Sequence, residues 1–200
     1  ARCMGKELSL NELGCALSHK KAYKMIIEKN LDGAFIFEDD IILSENIKDI
    51  LESIHKNKKK LPKESWVGLS NSYIRVNKKL FDLFNQYKIY QSPKVRGALG
   101  YYIDYAGAKK LLGLNKKTVY VADWFTGGYI DKLNIYSINS ACVMQNISIE
   151  SSIDQTRINS RTRPSLIYRL IVACKRINAY KFSILKQFGF YKKVKYSSDL

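Results

Sequence analysis

Apolar residues recur at helical spacing in two stretches near the start of the chain. Ser9 and Glu12 form a capping-box pattern, and the apolar positions after them predict a helix over 10–29. After Ser44, which we expect to cap it, the apolar residues within 47–54 fall at i, i+3, i+4 and i+7. This second pattern predicts another helix.

Short apolar runs bounded by turn residues predict strands between and after these helices. They are AFIF at 34–37, WVGLS at 66–70, KIYQS at 88–92, ALGYYI at 98–103, TVYVAD at 118–123, LNIYSI at 133–138 and ACVMQ at 141–145. AGAKKLLG at 106–113, two residues beyond ALGYYI, predicts a short helix that ends at Gly113. Strands that alternate with helices predict an α/β fold with a mixed, mostly parallel sheet.

Three consecutive carboxylates, Glu38, Asp39 and Asp40, follow the first predicted strand. Adjacent like charges repel and lose solvation in an apolar setting, a conflict that a bound cation would resolve. The alternative is that the strand simply ends at Phe37 and the acids lie in solvent. A second acid, Asp123, also ends an apolar run, and ligands of such sheets collect at the C-terminal ends of strands. Carboxylate oxygens suit Mg²⁺ or Mn²⁺, which would neutralise a leaving diphosphate.

The cysteines and histidines indicate neither a zinc site nor a disulfide scaffold. The four cysteines have no CxxC spacing and no clustered histidines, so reduced, cytosolic thiols are the simplest interpretation. His19 and His55 are too few for the usual zinc hydrolase site, and we expect His55 at the surface. No apolar run approaches the ~20 residues of a membrane-spanning helix, and the first residues lack the apolar core of a signal peptide.

The net charge of +16 is concentrated towards the end of the chain. Residues 157–200 hold eleven Lys or Arg residues and one acid, Asp199. An apolar stripe over 166–177, with basic residues between its members, predicts an amphipathic helix for an anionic membrane surface. We therefore divide the chain into a domain at 1–156 and a basic, membrane-associating tail at 157–200.

Several segments together resemble glycosyltransferase family 25. They are ELSLNELGCALSHKKAY, FIFEDD, GYYIDYAGAKKLL, VAD at 121–123 and the stretch from Gln145 to Arg157, in that order. The family contains lipooligosaccharide glycosyltransferases, often β-galactosyltransferases, and is related to collagen galactosyltransferases. The resemblance covers about residues 7–157. The family usually opens with a strand and an arginine-containing segment, so we expect the catalytic domain at 1–156 to lack that strand.

The resemblance implies a GT-A-like nucleotide-sugar-binding fold and a divalent cation, Mn²⁺ or Mg²⁺. Asp39 and Asp40 would contact the metal and the sugar diphosphate, as the equivalent of a DXD motif, with Glu38 nearby. Ser18 and His19 would line the donor pocket. The alternative for these last two is a helix-face pair that only supports the acidic strand end.

The resemblance also makes Asp123 the candidate base, with capping of a following helix as the alternative role. The implied reaction is inverting transfer of a hexose, galactose from UDP-galactose, to a lipooligosaccharide or lipopolysaccharide acceptor. We expect the protein in the cytoplasm, peripheral on the inner face of a bacterial inner membrane. Rival interpretations are a catalytically inactive glycosyltransferase-like partner and a basic nucleic-acid-binding protein. The second is weakened because the charge lies in the tail and no nucleic-acid-binding signature is present.

Overall fold

The structure is a computed structural model that describes most of the first three quarters of the chain and part of its end. The described residues are 2–3, 6–70, 73–76, 78–92, 94–95, 97–118, 120–122, 132–146, 148, 184 and 187–196. The helices are α1 (Leu10–Glu28), α2 (Ile47–Asn57, followed by a 3₁₀ turn, Lys58–Lys60) and α3 (Tyr105–Leu114). The strands are β1 (Arg2–Cys3), β2 (Lys6–Glu7), β3 (Gly33–Phe37), β4 (Ile41–Leu43), β5 (Ser65–Gly68), β6 (Tyr73–Val76), β7 (Lys79–Asp82), β8 (Lys88–Gln91), β9 (Lys94–Val95), β10 (Gly100–Asp104), β11 (Asn134–Ile138), β12 (Ser140–Ala141), β13 (Val143–Gln145), β14 (Tyr191–Lys193) and β15 (Lys195–Tyr196).

A six-stranded sheet in the order β3-β10-β5-β11-β8-β7 forms the centre of the fold. Its single parallel pair is β5 with β11, and its other neighbours are antiparallel. The α/β class is confirmed, but the predicted mostly parallel sheet is wrong. The error has a physical cause, because helices cover the central strands on both faces. Such strands have the continuous apolar runs that are typical of parallel sheets, whatever their direction.

Successive residues of the central strands point to opposite faces of the sheet and enter two separate cores. Trp66 and Tyr101 contribute to the first core, together with residues of α1 and α3. Val67 and Tyr102 contribute to the second core, together with residues of α2. The domain therefore has three layers, with α1 and α3 on one face of the sheet and α2 on the other.

The first predicted helix is confirmed, including its start. The Ser9 hydroxyl accepts a hydrogen bond from the Glu12 backbone N–H at 3.1 Å, and the Glu12 carboxylate accepts one from the Ser9 N–H at 2.9 Å. The second helix is also confirmed, but its predicted cap is wrong. Asn46 is the N-cap of α2, and Ser44 lies two residues earlier, where its backbone oxygen accepts from the Ile47 N–H.

The predicted strand TVYVAD is wrong for its described residues. Thr118 and residues 120–122 form no strand, and Thr118 has a positive φ of 50°. The Asn115 side chain donates to the Tyr120 carbonyl at 2.9 Å and accepts from the Tyr120 N–H at 3.0 Å. These are the backbone groups that a strand would use in its ladder, so the local side-chain bonds replace strand pairing. The other predicted strands all contain or overlap strands of the structure.

One edge of the sheet collects the C-terminal ends of β3, β5 and β11 and the N-terminal ends of β8 and β10. Glu38, Asp39 and Asp40 leave β3 at this edge and connect it to β4, which pairs antiparallel with β13. We call the segment formed by these three residues the acidic edge. The prediction that it follows directly on a strand is confirmed.

The end of the chain also contributes strands to the fold. β14 pairs with β6, β15 pairs with β12, and Val194 between them is buried in the first core. The predicted amphipathic helix at 166–177 lies outside the described residues. Within the described part of the chain, no helix has the length and apolar character needed to cross a membrane.

Candidate functional site

The backbone of the acidic edge is anchored at both ends. The Glu38 N–H donates to the Leu99 carbonyl at 2.9 Å, which extends the β3 ladder by one bond. The Asp40 carbonyl accepts from the Asn146 N–H at 2.7 Å, just beyond β13. The backbone of the three acidic residues is therefore fixed at both ends by hydrogen bonds to neighbouring segments.

The three carboxylates have different surroundings. Asp39 is exposed and makes no hydrogen bond or ion pair with another described residue. Asp40 is half-buried, and its Oδ2 accepts a hydrogen bond from Gln145 Nε2 at 3.1 Å. Glu38 is 27% exposed and lies beside His19. Two of the acids thus have side-chain partners, and the third faces solvent.

His19 is buried on α1 and is held by two buried tyrosines. Its Nδ1 lies 2.6 Å from the Tyr101 hydroxyl, which lies 2.7 Å from the Tyr23 hydroxyl. The Tyr101 ring also lies nearly parallel to the His19 and Trp66 rings, with centroid distances of 5.7 and 4.9 Å. The second ring nitrogen of His19, Nε2, is 3.6 Å from Glu38 Oε1. This chain of contacts turns one imidazole nitrogen towards the acidic edge.

Cys15 lies one helical turn before His19 and joins the same group. The Cys15 sulfur, a His19 ring nitrogen and a Glu38 carboxylate oxygen all lie within 4.8 Å of one another. This grouping has neither CxxC spacing nor clustered histidines, so those two patterns do not predict it. The signal that could have found it is a Cys and a His at i and i+4 on a predicted helix, which places both on one face.

Cys142 lies behind the acidic edge in the second core, and burial raises the pKa of its thiol to about 12. Its backbone N–H donates to the Leu69 carbonyl at 3.0 Å, so it links the segments after β5 and β11. A neutral, buried thiol is a poor metal ligand and a poor nucleophile. Cys142 therefore has a structural role in the second core.

The structure brings together some of the residues that the sequence singled out. His19 and Glu38 lie side by side, and Asp40 has an amide partner from β13. Ser18 is exposed on α1, and neighbouring residues of a helix do not face each other, so it does not join His19 in the buried group. His55 is exposed on α2, as predicted. Asp123 lies outside the described residues.

Comparison with known proteins identifies the family. The family model described as glycosyltransferase family 25 (LPS biosynthesis protein) matches residues 1–126, which contain Cys15, His19, the acidic edge and Tyr101. A Haemophilus influenzae protein named "Putative glycosyltransferase" is 34% identical over 116 residues, 55% of this chain and 38% of its own length. Human procollagen galactosyltransferase 2 is 27% identical over 113 residues, 55% of this chain and 18% of its own length.

The chain thus spans less than half the length of each of these two relatives. The matched region nevertheless contains α1, α2, α3 and the acidic edge, together with five of the six central strands, and it covers well over half of the chain. The chain therefore belongs to glycosyltransferase family 25.

Proposed function

We propose that this chain is an inverting glycosyltransferase that moves a hexose, galactose from UDP-galactose, to a lipooligosaccharide or lipopolysaccharide acceptor. The family description names LPS biosynthesis, and the human relative is named as a galactosyltransferase. We also propose a GT-A-like fold for the domain. The layered α/β arrangement, with acids leaving a central sheet at one edge, supports that assignment.

The observation that carries the proposal is the anchored acidic edge with its differently placed carboxylates. Asp39 is exposed, and one Asp40 oxygen accepts from Gln145, so the pair offers hard oxygen ligands on a fixed backbone. This donor set fits Mn²⁺ or Mg²⁺. The ion, when bound, would neutralise negative charge on the departing nucleoside diphosphate.

Each residue of the site then has its own task. Asp39 and Asp40 hold the cation, and the Gln145 amide orients the Asp40 carboxylate. Ser18 and His19 line the donor pocket, with Glu38 beside His19. Asp123 takes the proton from the acceptor hydroxyl as that oxygen attacks the anomeric carbon.

The first experiment titrates UDP into the full chain with and without Mn²⁺. Asp40→Asn should weaken Mn²⁺-dependent UDP binding by more than the roughly 10- to 100-fold that the loss of an outer-shell partner costs. Asp82→Asn is the matched control, because Asp82 is an exposed acid at the end of β7, paired with Lys79. If Asp40→Asn binds UDP like the parent protein and keeps its Mn²⁺ dependence, the acidic edge is a solvated strand end.

The second experiment separates the base from the metal ligands. Asp123→Asn should keep UDP affinity and slow transfer to the acceptor by about 10²- to 10⁴-fold, the usual contribution of a general base. Transfer at the parent rate would place the base elsewhere. UDP binding without transfer in the parent protein itself, with every acceptor tested, would favour an inactive glycosyltransferase-like partner.

We also propose that the basic tail holds the protein on the inner face of the bacterial inner membrane. Because Val194 is part of a core, deletion of the tail would disturb the fold, and charge substitutions are the sharper test. Arg169→Gln, Lys175→Gln and Arg176→Gln together should weaken binding to anionic vesicles, at about 1 kcal/mol per basic residue. Neutral vesicles and a polynucleotide are the controls. Unchanged binding to anionic vesicles would contradict the membrane role, and tight polynucleotide binding would favour the nucleic-acid alternative.

A further inference from the structure

A group of three potential metal ligands lies between α1 and the acidic edge. Cys15 and His19 are one turn apart on α1, and Glu38 comes from the segment after β3. One ligand atom from each residue lies within 4.8 Å of the other two. The group combines sulfur, nitrogen and oxygen ligands, whereas Asp39 and Asp40 offer oxygen alone. It therefore suits a different class of metal ion.

The separation of His19 and Glu38 is that of two ligands around one ion rather than of a direct hydrogen bond. Around a tetrahedral ion with bonds of about 2.0 to 2.3 Å, neighbouring ligand atoms are roughly 3.3 to 3.7 Å apart. His19 Nε2 and Glu38 Oε1 are 3.6 Å apart, which is long for a hydrogen bond and within this range. Cys15 lies within 4.8 Å of both, so the side chains would have to move by up to about 1 Å to bring all three ligand atoms to one ion.

The surroundings of His19 supply the second shell of such a site. Metal-bound histidines usually donate their other ring N–H to a fixed partner, which sets the tautomer and the ring orientation. Here His19 Nδ1 lies 2.6 Å from the Tyr101 hydroxyl, which can in turn donate to Tyr23 at 2.7 Å. In the tautomer that donates Nδ1–H to Tyr101, Nε2 is the nitrogen without a proton, and it lies 3.6 Å from Glu38 Oε1.

In that tautomer His19 Nε2 and Glu38 Oε1 are both acceptors, and a cation between them would satisfy both. A proton on His19 Nε2 would satisfy this pair as an ion pair with Glu38. A metal ion would satisfy it as well, and Cys15 beside both groups would then contribute a thiolate. A Cys, a His and a carboxylate are all ligand types that Zn²⁺ accepts, and three protein ligands leave a fourth position open.

We propose that Cys15, His19 and Glu38 form a Zn²⁺-type site, with Tyr101 as the positioning residue of His19. This site goes beyond the proposed transferase function and is separate from the cation held by Asp39 and Asp40. It would link α1 to the acidic edge and compensate the charge of Glu38. Zn²⁺ bound there should raise the thermal midpoint of unfolding.

The test uses Co²⁺ in place of Zn²⁺, with the full chain after removal of bound metals by a chelator. The parent protein should show the near-ultraviolet charge-transfer absorption of a thiolate bound to Co²⁺, and Zn²⁺ should displace it. Cys15→Ser should abolish this absorption, whereas Cys3→Ser and Cys174→Ser, whose side chains lie outside the described residues, should keep it. No such absorption in the parent, or its survival in Cys15→Ser, would overturn the proposal.

Further variants keep the proposal testable if Cys15→Ser folds poorly. Glu38→Gln should retain the absorption but bind Co²⁺ more weakly. Tyr101→Phe should lower the Co²⁺ affinity by about 10- to 100-fold. His55→Ala, an exposed histidine on α2, should leave the affinity unchanged. Equal affinities for Glu38→Gln, Tyr101→Phe and the parent would also overturn the site.

Asp40→Asn distinguishes this site from the proposed donor site. Asp40→Asn should keep the Co²⁺ absorption even though it loses Mn²⁺-dependent UDP binding. A failure of UDP binding therefore does not affect the Zn²⁺-type site. The loss of the Co²⁺ absorption in Asp40→Asn would show that the two sites are one, which would overturn the separate site proposed here.

Discussion

The two ends of the β3/β10 ladder use carboxylates in opposite ways. At one end, where Asp104 pairs with Gly33, the Asp104 carboxylate caps α3 and accepts from the Gly107 N–H at 2.7 Å. At the other end, where Phe37 pairs with Gly100, the chain continues into the acidic edge. The acids there face side chains or solvent instead of a helix start.

The difference shows how the partner of a carboxylate indicates its role. A capping acid cannot take up a ligand without freeing a backbone N–H that folding has paired, so Asp104 is committed to structure. Asp40 can keep or exchange its Gln145 partner, and Asp39 has no described partner to lose. Carboxylates with side-chain partners at a sheet edge are therefore the better candidates for binding.

The largest effect on stability is expected for the glycine at the capping end. A Cβ on Gly33 would lie 2.5 Å from the Tyr102 hydroxyl oxygen and 2.6 Å from the Ile103 backbone oxygen, and the backbone cannot move cheaply. Gly33→Ala should lower the free energy of unfolding by about 1 to 3 kcal/mol, measured by urea denaturation. Gly100→Ala is the matched variant at the other end, where the nearest atoms to a new Cβ belong to side chains at 3.0 Å. It should lower the free energy of unfolding by less than Gly33→Ala does. A larger loss of stability in Gly100→Ala than in Gly33→Ala would contradict this contrast between the two ends of the ladder.

The next effect concerns the cap itself. Asp104→Ala should lower the free energy of unfolding by about 1 kcal/mol, within the usual 0.5 to 2 for a lost N-cap. Asp104→Asn should lower the free energy of unfolding much less at neutral pH, because asparagine caps a helix equally well. Equal losses for both variants, measured by thermal and urea unfolding, would mean that the charge of Asp104 matters and the cap does not.

The pH dependence of stability sharpens the same point. Burial raises the pKa of Asp104 above its ordinary value of 3.8, against the lowering effect of backbone hydrogen bonds. The folded state therefore favours the neutral acid. The resulting contribution to the free energy of unfolding is complete below pH 3.8 and is lost as the pH rises through the pKa of Asp104 in the folded state. The parent should thus lose stability relative to Asp104→Asn as the pH rises from 3.8 into the mildly acidic range. A difference that grows in the opposite direction would contradict the burial argument.

The smallest effect is expected at the acidic edge. Asp39→Asn removes an exposed charge without a described partner, so the free energy of unfolding should change by less than about 0.5 kcal/mol. The same urea titration as for Asp104→Ala measures it. A loss as large as that of the cap variant would assign Asp39 a structural role and remove the contrast between the two ends.

The sequence predicted the elements well and their directions poorly. The capping box at Ser9 and the apolar run of β3 are local features, so they could be read from neighbouring residues. The insertion of β10 between β3 and β5 depends on pairing between distant segments, which no local pattern records. The same holds for the strand predicted at 118–123, where the Asn115 side chain takes over the backbone groups of Tyr120.

The candidate site was predictable in part for the same reason. Three adjacent acids after a strand are visible in the sequence, and so is the family resemblance. The contact between His19 and Tyr101 is not visible, because the buried face of α1 includes polar residues that an apolar pattern omits. Leu17, an apolar residue of the same helix, is 48% exposed. The buried face of α1 thus combines polar with apolar residues and leaves an apolar residue in solvent.

The central position of β11 has a consequence for folding during synthesis. β11 is the parallel neighbour of β5 and separates it from the local β7/β8 hairpin, yet it lies far along the chain from β5. Pairings between distant segments form slowly, and the N-terminal part of a chain emerges first from the ribosome. The hairpin and α1 can form early, whereas β5 keeps an unpaired flank until residues 134–138 have been made. During that interval the nascent sheet presents an open strand edge, the feature that chaperones shield and that drives self-association.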